Sequence, residues 1–316
     1  MKIFNYQKTC QELLEDLPER EKEVISRRFG LNGGEKETLG AIGQNLGITR
    51  ERVRQIEKAG LLRIKPKIKN YQKVFQFFSQ YLKRYGGLRK EEILLSDLGG
   101  KKYQAQVYFL LTISDNFKRF GENEDFHSFW ALDSYSLNSV KKTIETLFKK
   151  LKGIGKPLSL KETGVPAPYL EISKKILRNS DGLYGLKDWP EINPRGVKDK
   201  AYLVFKRFGK PLHFKEVAKQ IKGALVQTVH NELIKDPRFV LVGRGIYALR
   251  EWGYIPGQVK DIIAKILKEE GPLTQKEILE RVLKQRLVKK STILLNLSNE
   301  KNFLKNSQGK YIIREV

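Results

Sequence analysis

Cysteine is nearly absent. The single Cys10 in 316 residues excludes an internal disulfide and any cysteine-rich zinc site. The three histidines, His127, His213 and His230, are scattered and supply no metal-ligand spacing. No run of 18 apolar residues occurs, which argues against a membrane-spanning helix. The start, Met1-Lys2-Ile3-Phe4-Asn5-Tyr6-Gln7-Lys8, lacks the apolar stretch of a signal peptide. A soluble chain in a reducing cytoplasm is expected. The glycine-rich segment Gly30 to Gly34 lacks the lysine and the serine or threonine of a phosphate-binding loop, and no nucleophile is paired with a base. An enzyme is not expected, nor a cofactor, a metal, a membrane or a small-molecule substrate.

Acidic residues are also in short supply. There are 36 against 61 Lys and Arg, a formal charge of +25, so a polyanion is the expected partner. Residues 1–64 hold 12 basic and 10 acidic side chains, an excess of only +2 against +23 in the rest. Nonspecific attraction to phosphates therefore belongs to the later part of the chain.

The early part is more specific. Leu13, Leu14 and Leu17 predict a short helix over Gln11 to Leu17, ended before Pro18. Val24, Ile25 and Phe29 predict a second helix over Glu19 to Phe29, closed by Gly30. A third runs from about Thr38 to Asn45, and Thr49 caps a fourth. On that last helix Arg50, Arg54 and Lys58 recur every four residues beside Glu51 and Gln55, while Val53 and Ile56 turn the other way. The charge pattern alone also fits a solvated amphipathic helix. The upstream residues favour a helix-turn-helix: Gly43 is small where two helices cross, Gly47 suits the turn, and Ile42, Leu46, Ile48, Val53 and Ile56 supply the packing. Arg, Gln and Glu on the exposed face match base edges in a major groove.

The segment Leu17-Pro18-Glu19-Arg20-Glu21, Arg28-Phe29-Gly30-Leu31, Thr38-Leu39, Ile42-Gly43 and Leu46 through Glu57 closely resembles region 4 of bacterial primary-type sigma factors. That resemblance implies binding to the promoter −35 element in double-stranded DNA and docking on the β flap of core RNA polymerase. It further implies that Arg50, Glu51, Arg54 and Gln55 read bases, with Arg20, Arg28, Leu39 and Thr49 against phosphates. Lys58 joins the phosphate set, because the family's usual lysine at 59 is Ala59 here. The family's acidic residues after Leu39 are replaced by Gly40-Ala41, and its alanine by Gly60. Each glycine is expected to weaken its helix by up to ~1 kcal/mol relative to alanine. Only sixteen residues precede Leu17, so promoter opening by this chain alone is not expected. The aromatics Tyr71, Phe75, Phe77, Phe78, Tyr81 and Tyr85 cluster here, and since Phe75, Phe78 and Tyr81/Leu82 follow helical core spacing they are read as packing.

Beyond Ile64-Lys65-Pro66-Lys67 the chain repeats itself. Gly182-Leu183-Tyr184-Gly185-Leu186-Lys187-Asp188-Trp189 matches Gly245-Ile246-Tyr247-Ala248-Leu249-Arg250-Glu251-Trp252, with weaker copies at Phe129-Trp130-Ala131-Leu132 and at Gly309 to Glu315. Gly86-Gly87-Leu88, Gly155-Lys156-Pro157-Leu158, Gly209-Lys210-Pro211-Leu212 and Gly271-Pro272-Leu273 keep step. The predicted fold is mainly α with small β-hairpin wings: a helix-turn-helix domain at 1–66, then four tandem winged-helix units at 67–136, 137–190, 191–253 and 254–316. The third unit is similar to the HARE type of helix-turn-helix domain, a family that includes the polymerase δ subunit of some bacteria. Winged helices bind DNA or dock proteins, and the fold alone does not choose. Arg244, with Lys210 and Arg250, and a basic cluster of Lys284, Arg286, Lys289, Lys290 and Lys310 are candidate auxiliary contacts to DNA. Trp189 and Trp252 are read as packing and His213 as structural. The functional expectation is a cytoplasmic, nucleoid-associated transcription regulator that reads a −35-like element. The alternative is a polymerase-associated subunit with secondary DNA contacts.

Overall fold

The structure is a computed structural model that describes residues 4–133 and 137–314. The unit boundary at 136, and Glu315 in the last repeat, lie outside the described residues. The chain is mainly helical with small antiparallel sheets, and it divides into two compact units, Met1–Lys187 and Asp188–Val316.

In the first unit, α1 (Tyr6–Leu14) begins five residues before the predicted start. Asn5 explains this, because its Oδ1 accepts the Lys8 backbone N–H at 3.0 Å and caps the helix. Leu17 lies beyond the helix end yet is still buried. The second helix, α2 (Glu19–Phe29), has Glu19 and Glu21 in its first turn and Arg27 and Arg28 in its last, each sign placed against the opposite end of the helix dipole. Gly30 ends it at φ 69°. Next come α3 (Leu39–Leu46) and α4 (Arg50–Ile64).

A 3₁₀ segment, Lys65–Tyr71, leads into α5 (Gln72–Arg84), β1 (Leu88–Lys90), α6 (Glu91–Gly99), α7 (Gln104–Ile113), β2 (Phe117–Phe120) and β3 (Phe129–Leu132). The three strands pair antiparallel in the order β1-β3-β2. Helix, short strand, two helices and a hairpin is a winged-helix order. One apolar core spans this fold and the N-terminal helices, joining Leu13, Leu17 and Phe29 to Phe75, Phe78, Phe109 and Trp130. Phe75, Phe78, Tyr81 and Leu82 are all buried, as core spacing predicts. The third helix, α7, runs Val107-Tyr108-Phe109-Leu110-Leu111, apolar on nearly every side. It is enclosed: Phe109 meets Phe29 of α2 edge to face at 5.1 Å, and Gln106 Nε2 donates to the Leu31 carbonyl at 3.4 Å. The order continues, with the short strand reduced to a single bridge at Leu158, through α8 (Leu137–Ile154), α9 (Leu160–Thr163), α10 (Ala167–Ile172), β4 (Ile176–Arg178) and β5 (Tyr184–Leu186).

In the second unit it recurs with α11 (Gly196–Phe208), β6 (Leu212–His213), α12 (Phe214–Gln220), α13 (Val226–Lys235), β7 (Phe239–Gly243) and β8 (Ile246–Leu249). It recurs again, with a single bridge at Leu273 in place of the short strand, in α14 (Val259–Glu270), α15 (Gln275–Gln285), α16 (Lys290–Leu297), β9 (Phe303–Lys305) and β10 (Tyr311–Ile313). The repeated leucine after each glycine turn has one task, which is to pair with the last strand of its hairpin. Leu88 faces Ala131, Leu158 faces Tyr184, Leu212 faces Tyr247 and Leu273 faces Tyr311. Trp252 packs against the core of α11 to α13, with Phe205 at 6.3 Å, and so is packing as predicted. His213 Nδ1 accepts the Lys215 backbone N–H at 3.2 Å and caps α12.

Candidate nucleic-acid interface

The geometry at α3 and α4 begins with two glycines. A side-chain carbon on Gly43 would lie 2.7 Å from the Ile48 carbonyl oxygen, so only glycine lets the turn pass this close. Gly47 sits at φ 64°, where residues with a Cβ are strained, and terminates α3. Thr38 Oγ1 accepts from the Ala41 N–H and Thr49 Oγ1 from the Arg52 N–H, each at 3.2 Å, fixing where both helices start. Ile42 and Val53 are fully buried with Val24 of α2 and with Ile56, and Leu39, Leu46 and Ile48 pack around them. Gly60, expected only to weaken α4, has a packing task as well. A carbon added there would meet the Ile25 Cδ1 at 2.6 Å, so the absence of a side chain lets α2 and α4 lie close.

This frame leaves the outer face of α4 in solvent. Arg50, Glu51, Arg52, Arg54, Gln55 and Lys58 are all exposed. In the free protein the face is internally paired. Arg54 forks onto Glu51 through Nε at 2.9 Å and Nη2 at 2.7 Å, and Arg52 Nη1 donates to Gln55 Oε1 at 3.2 Å. The hydrogen bond from Arg54 holds the Glu51 carboxyl below the usual range, and Glu51 in turn raises Arg54. Both side chains are more than half exposed, so the pair is weak and opens readily to a better partner. Arg50, at the start of the helix, makes no ion pair among the described residues.

The residues assigned to phosphates are placed less uniformly. Arg20 is exposed in the first turn of α2, and Lys58 is exposed on α4. Arg28 is half-buried and braced across the domain: Nη1 donates to the Glu37 carbonyl at 2.9 Å, and Nε lies 3.4 Å from Glu57. Leu39 turns its side chain into the small core, so what it offers a phosphate is its backbone N–H at the N-terminal end of α3. Arg52 was absent from the sequence-based set, although its place three residues before Gln55 puts it on the same face. It lines an open groove with Gly40, Gly43, Gln44, Gly47, Thr49 and Arg50.

Among the auxiliary candidates, Arg244 is exposed at the tip between β7 and β8, Lys284 is exposed near the end of α15, and Lys289 and Lys290 are exposed where α16 begins. Lys310 is half-buried near Glu277, whose carboxyl it helps to lower. Arg286 is a correction. It is only 3% exposed, and its guanidinium is consumed by the carbonyls of Gln285 at 2.7 Å, Ile255 at 2.5 Å and Gly257 at 2.8 Å. The sequence shows an arginine among lysines and cannot show the carbonyl cup that takes it. Among the described residues there is no cluster of three or more His, Cys, Asp or Glu that could hold a metal, and no helix is long and apolar enough to cross a membrane.

Two capped helices crossing over a glycine, with a polar outer helix, define a helix-turn-helix domain. The family model for Sigma-70, region 4 matches residues 13–65, which contain this whole arrangement. The same segment is similar to RNA polymerase sigma factor sigB of Arabidopsis thaliana, 47% identical over 58 residues, 18% of this chain and 10% of that protein. It is similar to RNA polymerase sigma-C factor of Nostoc sp., 48% identical over 65 residues, 20% of this chain and 16% of that protein. It also resembles RNA polymerase sigma factor SigA4 of Synechococcus elongatus, 46% identical over 52 residues, 16% of this chain and 17% of that protein. Residues 13–65 therefore match the sigma-70 region 4 domain and carry its helix-turn-helix. The chain spans less than a fifth of the length of each of these relatives.

Proposed function

We propose that the protein is a sequence-specific transcription regulator whose N-terminal domain reads a promoter −35-like element and which contacts RNA polymerase, without catalysis of its own. The observation that carries this reading is the outer face of α4, held by Gly43, Gly47 and Thr49, with Arg50, Glu51, Arg54 and Gln55 exposed along it. Arg54 released from Glu51 has a planar fork suited to guanine O6 and N7, Gln55 suits adenine, and Glu51 accepts from cytosine. Arg20, Lys58 and the amide of Leu39 serve phosphates, and the basic excess beyond residue 64 adds salt-dependent affinity.

A second reading gives DNA a secondary part, and α7 bears on it only in one respect: packed against α2 of the same chain, the third helix of the first winged-helix fold is not open to DNA. On this reading the chain is chiefly a polymerase-associated subunit. Capture of core RNA polymerase by the full chain, with and without nuclease, separates the two. Retention after nuclease favours the second reading and loss favours the first. The first reading itself is tested by competition between a −35-like duplex and a scrambled duplex of equal length. Preference for the −35-like duplex supports it, and equal binding of the two overturns it.

A further inference from the structure

The third helices of the winged-helix stretches are of two kinds. In the first unit, α7 is enclosed, and α10 buries Pro168, Tyr169, Leu170 and Ile172 while Glu171 accepts from Arg89 of β1 at 2.7 Å. On α7 only Gln104 and Thr112 are exposed, with Tyr108 between them beneath Lys36, and no residue of α10 is exposed. In the second unit, α13 buries only Val229 and Leu233 and leaves Gln227, Thr228 and Asn231 in solvent. Gln227 and Asn231 lie one turn apart on one stripe, and Gln227 Nε2 donates to Asn231 Oδ1 at 3.1 Å.

The surroundings of that stripe are mostly cationic, Glu232 of α13 being the one acid on the helix itself. Phe214 at the start of α12 stacks on His230 of α13, with ring centroids 4.2 Å apart, and its N–H donates to the Gly245 carbonyl at 3.0 Å. The start of α12, the middle of α13 and the wing tip therefore meet, and Lys215 and Arg244 flank the meeting point. Lys215, Lys219, Lys222, Lys235 and Arg244 make no ion pair among the described residues. Other cations of the same fold are tied, Lys206 to Glu251 at 2.8 Å and Arg238 to Asp236 at 2.6 Å. The nearest acid in α12, Glu216, is engaged in capping, accepting the His213 N–H at 3.0 Å.

We propose that α13 is a second base-reading helix for duplex DNA, with the Gln227 and Asn231 amides on adenine edges and Lys215, Lys222 and Arg244 on flanking phosphates. A protein partner fits less well. The exposed apolar side chains Leu225 (74%) and Val226 (43%) sit at the start of the helix and Ile234 (63%) near its end. Nine residues of helix separate Leu225 from Ile234 by about 14 Å. The polar stripe lies between, so they form no continuous apolar patch. The proposal uses none of the residues of α4, and each reading can fail without the other.

The test is selection of duplexes from a random library by the full-length wild type, by Gln227→Ala/Asn231→Ala, and by Arg54→Ala. Both substituted amides are exposed, so an unchanged melting midpoint is expected for the double variant. The wild type is expected to enrich two separable elements. The double variant loses the A·T-containing one, with about tenfold or weaker binding to duplexes that carry it, and keeps the one that Arg54→Ala loses. Lys215→Ala/Arg244→Ala weakens every duplex alike and flattens the salt dependence. The proposal is overturned if the double variant enriches the same sequences as wild type. It is equally overturned if that variant loses random and selected duplexes by the same factor, or keeps its DNA selection while losing capture of core RNA polymerase.

Discussion

Gly60 of α4 stands so close to Ile25 of α2 that an added Cβ would lie 2.6 Å from the Ile25 Cδ1, and Ile25 is fully buried. Gly40 of α3 has nothing nearer than the Thr38 hydroxyl at 3.9 Å. The same substitution therefore has opposite signs at the two positions. Overpacking costs about 1–3 kcal/mol, and alanine returns up to about 1 kcal/mol of helix propensity. Gly60→Ala is expected to lose about 1 kcal/mol of stability, whereas Gly40→Ala gains up to about 1 kcal/mol. Chemical denaturation of the two variants checks this, and stabilisation by both would show that Gly60 has no packing task.

Arg54, Lys289 and Arg286 are expected to fail in three different ways. Arg54→Ala loses about 1–3 kcal/mol of discrimination at one base position. Lys289→Ala/Lys290→Ala weakens binding to all sequences and lowers the slope of log affinity against log salt by roughly 0.9 per lost phosphate contact. Arg286→Ala leaves that slope unchanged but costs about 1.5–3 kcal/mol of stability, because its buried guanidinium makes charged hydrogen bonds to three backbone carbonyls. A salt titration paired with denaturation separates the three, and a reduced salt slope for Arg286→Ala would return that residue to the DNA surface.

Phe109 links the first winged-helix fold to the region 4 domain through Phe29. It is fully buried. Phe109→Ala is expected to cost about 3–5 kcal/mol and to weaken DNA binding, although Phe109 lies on α7 and not on α4. Denaturation followed by circular dichroism, alongside duplex binding, checks it; undiminished affinity of the folded variant would mean that the domain does not depend on α7.

Acid should loosen the second unit through its caps. The Thr274 N–H and hydroxyl donate to Glu277 at 2.8 and 2.7 Å, and these bonds hold its carboxyl below the usual range. A carboxyl depressed in the folded state adds stability above its unfolded value of 4.5 and loses it as pH falls through the lower folded value. Stability is therefore expected to fall with pH below about 4.5, and less steeply in Glu277→Gln. Denaturation midpoints between neutral pH and pH 3 measure it, and identical slopes in the two proteins would contradict the assignment.

Much of this was legible in the sequence where one residue type has one physical use. Gly43, Gly47 and Thr49 specify a close crossing, a left-handed turn and a cap, and each occupies that role. The glycine-turn leucines marked the repeats because each one pairs with its own hairpin. What the sequence could not display was the choice of partner. The apolar run of α7 announces burial but not that α2 receives it, and Arg286 resembles its exposed neighbours until the carbonyls around it are seen. The pairing of Arg54 with Glu51 was likewise hidden, since both were read as aimed at bases.

The most direct test of the central claim is genome-wide occupancy of the tagged protein in its host, mapped beside RNA polymerase and repeated with Arg54→Ala. The account predicts wild-type peaks centred near −35 positions that disperse in the variant. Uniform coverage of the genome by wild type, or peaks that the variant retains, would contradict promoter reading by α4.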